Sequence, residues 1–194
     1  MKFFETIKIV DGEIFNIEYH QKRYERTISY HNGMVHNLKK YINPPKDGLY
    51  RAKIIYDKNS ILDINYFSYE KREIKSFKLV EIDFDYDFKY LDRVNIDNAF
   101  AKRLDCDEII MIKDNLLTDT SIANIAFFNG KEWVTPKKPL LNGTTSKRYI
   151  KKAILKPKEI KKEDLNSFTK IALLNAMVDF DIIPIKKIDE VIHC

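Results

Sequence analysis

An Asp-Gly pair at positions 11 and 12 separates an alternating apolar stretch at residues 2–10 from a short returning stretch at 13–15, and helix-patterned sequence begins at once behind it. Hairpin followed directly by helix is an arrangement that few folds accept. Asp-Gly supplies the positive backbone angles that a two-residue hairpin needs. Asn16 is placed to cap a helix running to residue 30. A second hairpin, 49–57 returning as 61–69 about Lys58-Asn59, is set off by the breakers Asn43-Pro44-Pro45 and Asp47-Gly48. Residues 77–84 read as a further strand. A sheet with one long helix gives an α+β pattern for the first half.

Residues 83–89, DFDYDFK, are acidic and aromatic without helical period, and the hinge between two domains is expected there, at 1–84 and 85–194. The second half reads as a helix at 91–104, strands at 107–113, 122–128 and 132–134, a helix at 144–155 behind Gly143, a brief helix from Asp164, and strands at 169–174 and 182–188. A turn is expected at Lys113-Asp114-Asn115. Taken alone, Thr118-Asp119-Thr120-Ser121 also suits the closing of a turn.

Composition removes several function classes. The 34 Lys and Arg residues are interleaved with 29 Asp and Glu, and a net charge of +5 spread in this way points to no nucleic-acid partner. No apolar run approaches the roughly 18 residues of a membrane span, and the charged N-terminus lacks a signal-peptide core, so the cytoplasm is expected and a membrane is not. The two cysteines, Cys106 and Cys194, and the four histidines follow no disulfide or metal-ligand spacing. The five glycines form neither a GxGxxG nor a Walker loop.

Several residues carry chemistry in their setting, each beside a plainer alternative. Lys89, at the mouth of a helix among aromatic residues, suits an amine that condenses with an aldehyde, and equally a solvated surface charge. Arg23 offers a planar fork matched to phosphate oxygens, or one more charge on an amphipathic helix. His20, three residues earlier, reads as a packing or hydrogen-bonding group. Asn142-Gly143-Thr144-Thr145 feeds a helix N-terminus, where backbone N–H groups favour an anion. Asn124 and Asn175 are amides among apolar neighbours, as structural hydrogen-bonders often are. Arg51, on the strand at 49–57, is a candidate for binding a substrate carboxylate.

Six stretches in order, FETIKIVDGEIFNIEYHQKRY, FKYLDR, LTDTSIANIAFF, WVTP, PLLNGTT and LLNAM, resemble the motifs of the class IV aminotransferase and lyase family over most of the chain. These are fold-type IV enzymes that hold pyridoxal 5′-phosphate. The resemblance implies a small N-terminal α/β sandwich domain followed by a pseudo-barrel α/β domain. It also implies a catalytic lysine at Lys89, a phosphate-binding arginine at Arg23, and a carboxylate at Asp119 that keeps the cofactor ring nitrogen protonated. Asn124, Gly143, Thr144, Thr145 and Asn175 complete the implied cofactor site. A homodimer and a small-molecule amino-group substrate are implied as well. LLNAM resembles the late motif of 4-amino-4-deoxychorismate lyases, which release pyruvate and leave 4-aminobenzoate. A branched-chain or D-amino acid aminotransferase and a non-catalytic descendant are the alternative readings. The chain departs from the pattern at Asp119, where the family commonly has Glu, and at Ser146, where many members have Arg.

Overall fold

The structure, a computed structural model, describes residues 1–183, 187–188 and 190–193. It divides into two compact units, the first formed by Met1–Lys71 with Phe88–Asp92, the second by Arg72–Asp87 with the chain from Arg93 onward.

In the first unit, β1 (Phe3–Val10) turns through Asp11 and Gly12, both at positive φ, into β2 (Glu13–Ile14). Helix α1 (Ile17–Tyr30) follows, then a 3-10 turn at Leu38–Tyr41 and the hairpin of β3 (Leu49–Tyr56) and β4 (Ile61–Ser68). Pairing is antiparallel throughout, in the order β2-β1-β3-β4. Because successive strand residues point to opposite faces, Phe3, Ile7 and Ile9 of β1 share a face with Ala52, Ile54 and Tyr56 of β3. That face packs under Tyr24 and Ile28 of α1 and Leu38. Asn16 differs from expectation. It takes the left-handed conformation (φ 52) and makes no side-chain cap, its carbonyl instead accepting from the Tyr19 N–H. Asn tolerates that backbone region better than most residues.

Phe88–Asp92 belongs with this unit because it pairs along β1. The Phe4 N–H donates to the Lys89 carbonyl and the Leu91 N–H to that of Lys2, each at 2.9 Å, and Tyr90 bridges Phe3. The division thus falls at Lys71/Arg72 with a return at 88–92, where the sequence suggested a single hinge at 84/85. The same pairing holds residues 88–92 extended, so the helix expected from 91 begins only at Val94.

The second unit runs β5 (Phe77–Glu81), α2 (Val94–Ala101), β6 (Glu108–Lys113), β7 (Leu116–Thr120), β8 (Asn124–Phe128), β9 (Trp133–Pro136), α3 (Thr144–Lys151) and β10 (Leu155–Lys158). A 3-10 turn at Lys162–Ser167 leads to β11 (Lys170–Asn175), β12 (Asp179–Ile183) and β13 (Ile192–His193). One mixed sheet has the order β10-β9-β8-β7-β6-β5-β13, with β11 joined to β8 and β12 to β11. Strand β8 pairs with β11 along its length, while its other edge serves β7 at Asn124 and β9 at Phe127 and Phe128. Between these partners, the Ile125 carbonyl accepts from the Thr135 hydroxyl at 2.8 Å. Phe77, Ile110, Leu117, Ile125, Phe127, Ile171 and Leu173 lie in the core.

Three elements depart from expectation. The turn at Asp114-Asn115 forms, with both residues at positive φ, but it returns at once as β7, which puts Thr118, Asp119 and Thr120 inside a strand. Helix α3 ends at Lys151, before Ala153 in the left-handed region, and an unexpected strand, β10, follows. The last expected strand, 182–188, falls partly outside the described residues; Ile182 and Ile183 belong to β12, whereas Lys187 and Ile188 lie outside any strand.

Phe127, fully buried, stacks on Phe168 with ring centroids 5.0 Å apart. Phe127→Ala is expected to cost about 3–5 kcal/mol, read as a lower urea midpoint at unchanged slope.

Candidate functional site

Each unit gathers part of the expected residue set. In the first, the buried face of β1 reads Phe3, Glu5, Ile7, Ile9, so one carboxylate sits in an apolar row, with no exposure at all. One turn of α1 separates His20 from Arg23, and both reach this acid. Arg23 donates from Nε to Oε1 at 2.8 Å and from Nη2 to Oε2 at 2.5 Å. His20 Nδ1 lies 2.7 Å from Oε2. An ionised carboxylate only accepts, so Nδ1 carries the proton.

Burial is the largest influence on both titrating partners. It pushes the Glu5 carboxyl up, but the Arg23 charge and the hydrogen bonds from His20 and Arg23 outweigh it and bring the value down to about 2. For His20, burial lowers the pKa against the hydrogen bond and charge of Glu5, and the positive charges of Arg23 and Lys89 lower it further. His20 is therefore neutral near pH 7, and its contact with Glu5 is a hydrogen bond rather than an ion pair.

The face of this sheet away from α1 carries cations. The Lys89 ammonium lies over the Phe4 ring, 4.5 Å from its centroid, and that of Lys53 lies 5.2 Å from the same point. Arg51, exposed, stacks its guanidinium 5.1 Å from the Phe67 centroid.

In the second unit the structure brings Asp119, Asn124, Gly143, Thr144 and Thr145 together. Asp119, opposite Asn124 across the β7–β8 pairing, is buried. Its Oδ1 accepts from Asn124 Nδ2 at 2.7 Å and its Oδ2 from the Leu141 N–H at 2.8 Å. Asn124 Nδ2 also donates to the Leu141 carbonyl at 2.9 Å, which ties the loop before α3 to the sheet. The amide oxygen of Asn124 fills the space above Gly143, where an added Cβ would stand 1.8 Å from it. Gly143 precedes α3 without a side-chain cap, and Thr144, Thr145 and Ser146 are buried. The N–H groups of a first helical turn have no acceptor within the helix and favour an anion.

Asn175 stands apart from that cluster by function. Its side-chain oxygen, Oδ1, accepts from the N–H groups of Met177 at 2.9 Å and Val178 at 3.0 Å, closing the turn between β11 and β12. Residue-by-residue reading passed over Glu5 and the Leu141 N–H. Glu5 was detectable as the one acid on the apolar face of an alternating strand, whereas a backbone donor leaves no mark in sequence. Among the described residues no group of three or more His, Cys, Asp or Glu side chains is arranged to hold a metal, and no helix is long and apolar enough to cross a membrane.

Residues 85–188 match the family model for amino-transferase class IV. An uncharacterised protein of Haemophilus influenzae is 38% identical over 182 residues, which is 90% of this chain and 96% of that protein. A crystal structure of a proposed 4-amino-4-deoxychorismate lyase from Haemophilus somnus is 34% identical, covers 91% of this chain and 96% of its own, and superposes with a TM-score of 0.84. The pyridoxal phosphate-bound form of a hypothetical aminotransferase from Mycobacterium tuberculosis shares the fold at 14% identity, with a TM-score of 0.78 over 94% of this chain and 79% of that one.

Two outcomes follow from this geometry. Between its native value and 6.5, His20 takes a proton in the unfolded chain but not in the native one, so stability falls as pH drops below about 6.5. Glu5, at about 2 in the fold against 4.5 unfolded, adds a loss of the same sign as pH falls through 4.5. Urea midpoints are expected to drop between pH 7 and pH 5, and His20→Gln should flatten that drop. Gly143→Ala should displace the Asn124 amide and cost about 1–3 kcal/mol, measured by thermal or urea unfolding.

Proposed function

We propose that this chain, which belongs to the class IV aminotransferase family and is an enzyme of that family, binds pyridoxal 5′-phosphate and acts as a 4-amino-4-deoxychorismate lyase, releasing pyruvate and leaving 4-aminobenzoate. The observation that carries the choice of reaction is the 34% identity, over 91% of the chain, to the proposed lyase of H. somnus. The LLNAM stretch at β11 supports it. On the same reading the enzyme is a cytoplasmic homodimer.

The residues fit the cofactor. The head of α3 combines first-turn N–H groups with the small side chains Thr144 and Thr145, a setting suited to a phosphate. The Asp119 carboxylate is buried and oriented by the bonds it accepts from Asn124 and the Leu141 N–H, a setting suited to pairing with a protonated ring nitrogen.

When bound, the cofactor supplies an electron-withdrawing ring that spreads the negative charge left by a departing proton. Lys89 Nζ would be the amine that holds the cofactor and the base that takes the proton whose removal permits loss of pyruvate. Asp119 would hold the negative charge that keeps the ring nitrogen protonated. Asn124 fixes the plane of that carboxylate. Thr144 and Thr145 would hold the phosphate at the head of α3, Arg23 is proposed as a phosphate ligand, Gly143 leaves the room that Asn124 occupies, and Asn175 shapes the turn after β11. Arg51 is the candidate partner for a substrate carboxylate.

The purified protein is expected to absorb visible light after incubation with pyridoxal 5′-phosphate, and borohydride reduction followed by peptide mapping should place the label on Lys89. Label on another lysine overturns the assignment. Given 4-amino-4-deoxychorismate, the protein should release pyruvate and 4-aminobenzoate, whereas amino-group exchange with keto acids alone would make it an aminotransferase. Lys89→Ala should lose turnover by about 10³-fold or more while keeping its melting temperature, since the pairing of residue 89 with β1 is made by its backbone carbonyl, which the substitution keeps.

A further inference from the structure

Glu5 has no place in the chemistry above, yet it is a fully buried acid on the face of β1 that otherwise contributes Phe3, Ile7 and Ile9 to the core. Burying a charge is costly unless it is paired and hydrogen-bonded. An apolar side chain would serve a purely structural purpose there at less cost. The geometry suggests what the acid does. Glu5 takes the Nε and Nη2 positions of Arg23, at 2.8 and 2.5 Å, which fixes both the plane and the roll of the guanidinium. The Nη1/Nη2 edge is not the one this pair uses. His20, from one turn earlier on α1, ties down the carboxylate in turn at 2.7 Å. Burial holds that imidazole neutral, so it adds a tether without adding charge.

We propose that Glu5, steadied by His20, is a positioning residue that presents Arg23 to the phosphate of the cofactor, so that selection for a phosphorylated ligand depends on an acid that never touches it. This rests on the reading of Arg23 as a phosphate ligand. It carries a distinctive sign. If Glu5 only neutralised Arg23, its removal would release a positive charge and strengthen phosphate binding. If it positions Arg23, removal weakens binding, because a mobile guanidinium must be ordered each time the ligand arrives.

The test compares the dissociation constants of pyridoxal 5′-phosphate and of pyridoxal, titrated by absorbance, for the wild-type protein, Glu5→Gln and Arg23→Ala. The wild type should favour the phosphorylated form. Glu5→Gln should lower that preference by about tenfold or more, the scale of a charge-assisted hydrogen bond, toward the Arg23→Ala value, with pyridoxal affinity little changed. An undiminished or greater preference in Glu5→Gln, with the preference lost in Arg23→Ala, overturns the role of Glu5 and leaves Arg23 as the phosphate ligand. A wild-type preference that survives Arg23→Ala overturns both. Should Glu5→Gln fail to fold, the wild-type protein labelled with ¹⁵N-arginine decides. The Arg23 Nε–H resonance should keep its hydrogen-bonded position as pyridoxal 5′-phosphate is added, and its movement to the solvent-exposed position would show that Arg23 leaves Glu5 to bind, which defeats the proposal.

Discussion

An acid withdrawn from water is held at least cost where donors fill its oxygens, and among the described residues three buried acids meet that condition with donors drawn largely from other elements. Glu5 takes them from residues 20 and 23 on α1. Glu108, also without exposure, takes them from Arg72, the Ser121 N–H and its neighbour Ile109. Asp119 takes them from Asn124 and the Leu141 N–H. Each acid therefore welds separate elements within its unit: helix to sheet in the first, strand to loop in the second. Breaking one such weld leaves a buried charge uncompensated, which is more damaging than losing an equal apolar contact.

Local pattern and turn chemistry made much of the fold legible. The Asp11-Gly12 hairpin, α1, the β3–β4 hairpin and β6 lie where alternation and breakers put them, because each is decided by neighbours a few residues away. What escaped was decided at long range. β7 looked like a turn because TDTS is rich in turn-forming side chains, and pairing with β6 and β8 makes it a strand. β10 contains Pro157, which argues against a central strand and is tolerated at the sheet's end. The placing of 88–92 beside β1 depends on backbone bonds that no side-chain pattern records.

The candidate site shows the same split. Asp119, Asn124, Gly143, Thr144 and Thr145 were each ambiguous alone, and the structure joins them through one amide whose nitrogen binds the acid and whose oxygen fills the space a side chain at 143 would need. Asp119 sits on the strand adjoining β8, directly opposite Asn124. Ser146 is buried in the first turn of α3, and Arg148 two residues on pairs with Asp179. Asn175, by contrast, spends its side-chain oxygen on a turn.

The outer strand β10, LKPK, has consequences for how this molecule keeps company with copies of itself. Proline adds no amide to the sheet's margin, and the charges of Lys158 and of Lys156, which pairs with Glu132, interrupt it further. Such a border is a poor template for a second strand. A newly made chain crowded among its siblings has, along this border, a built-in deterrent to fibrous stacking.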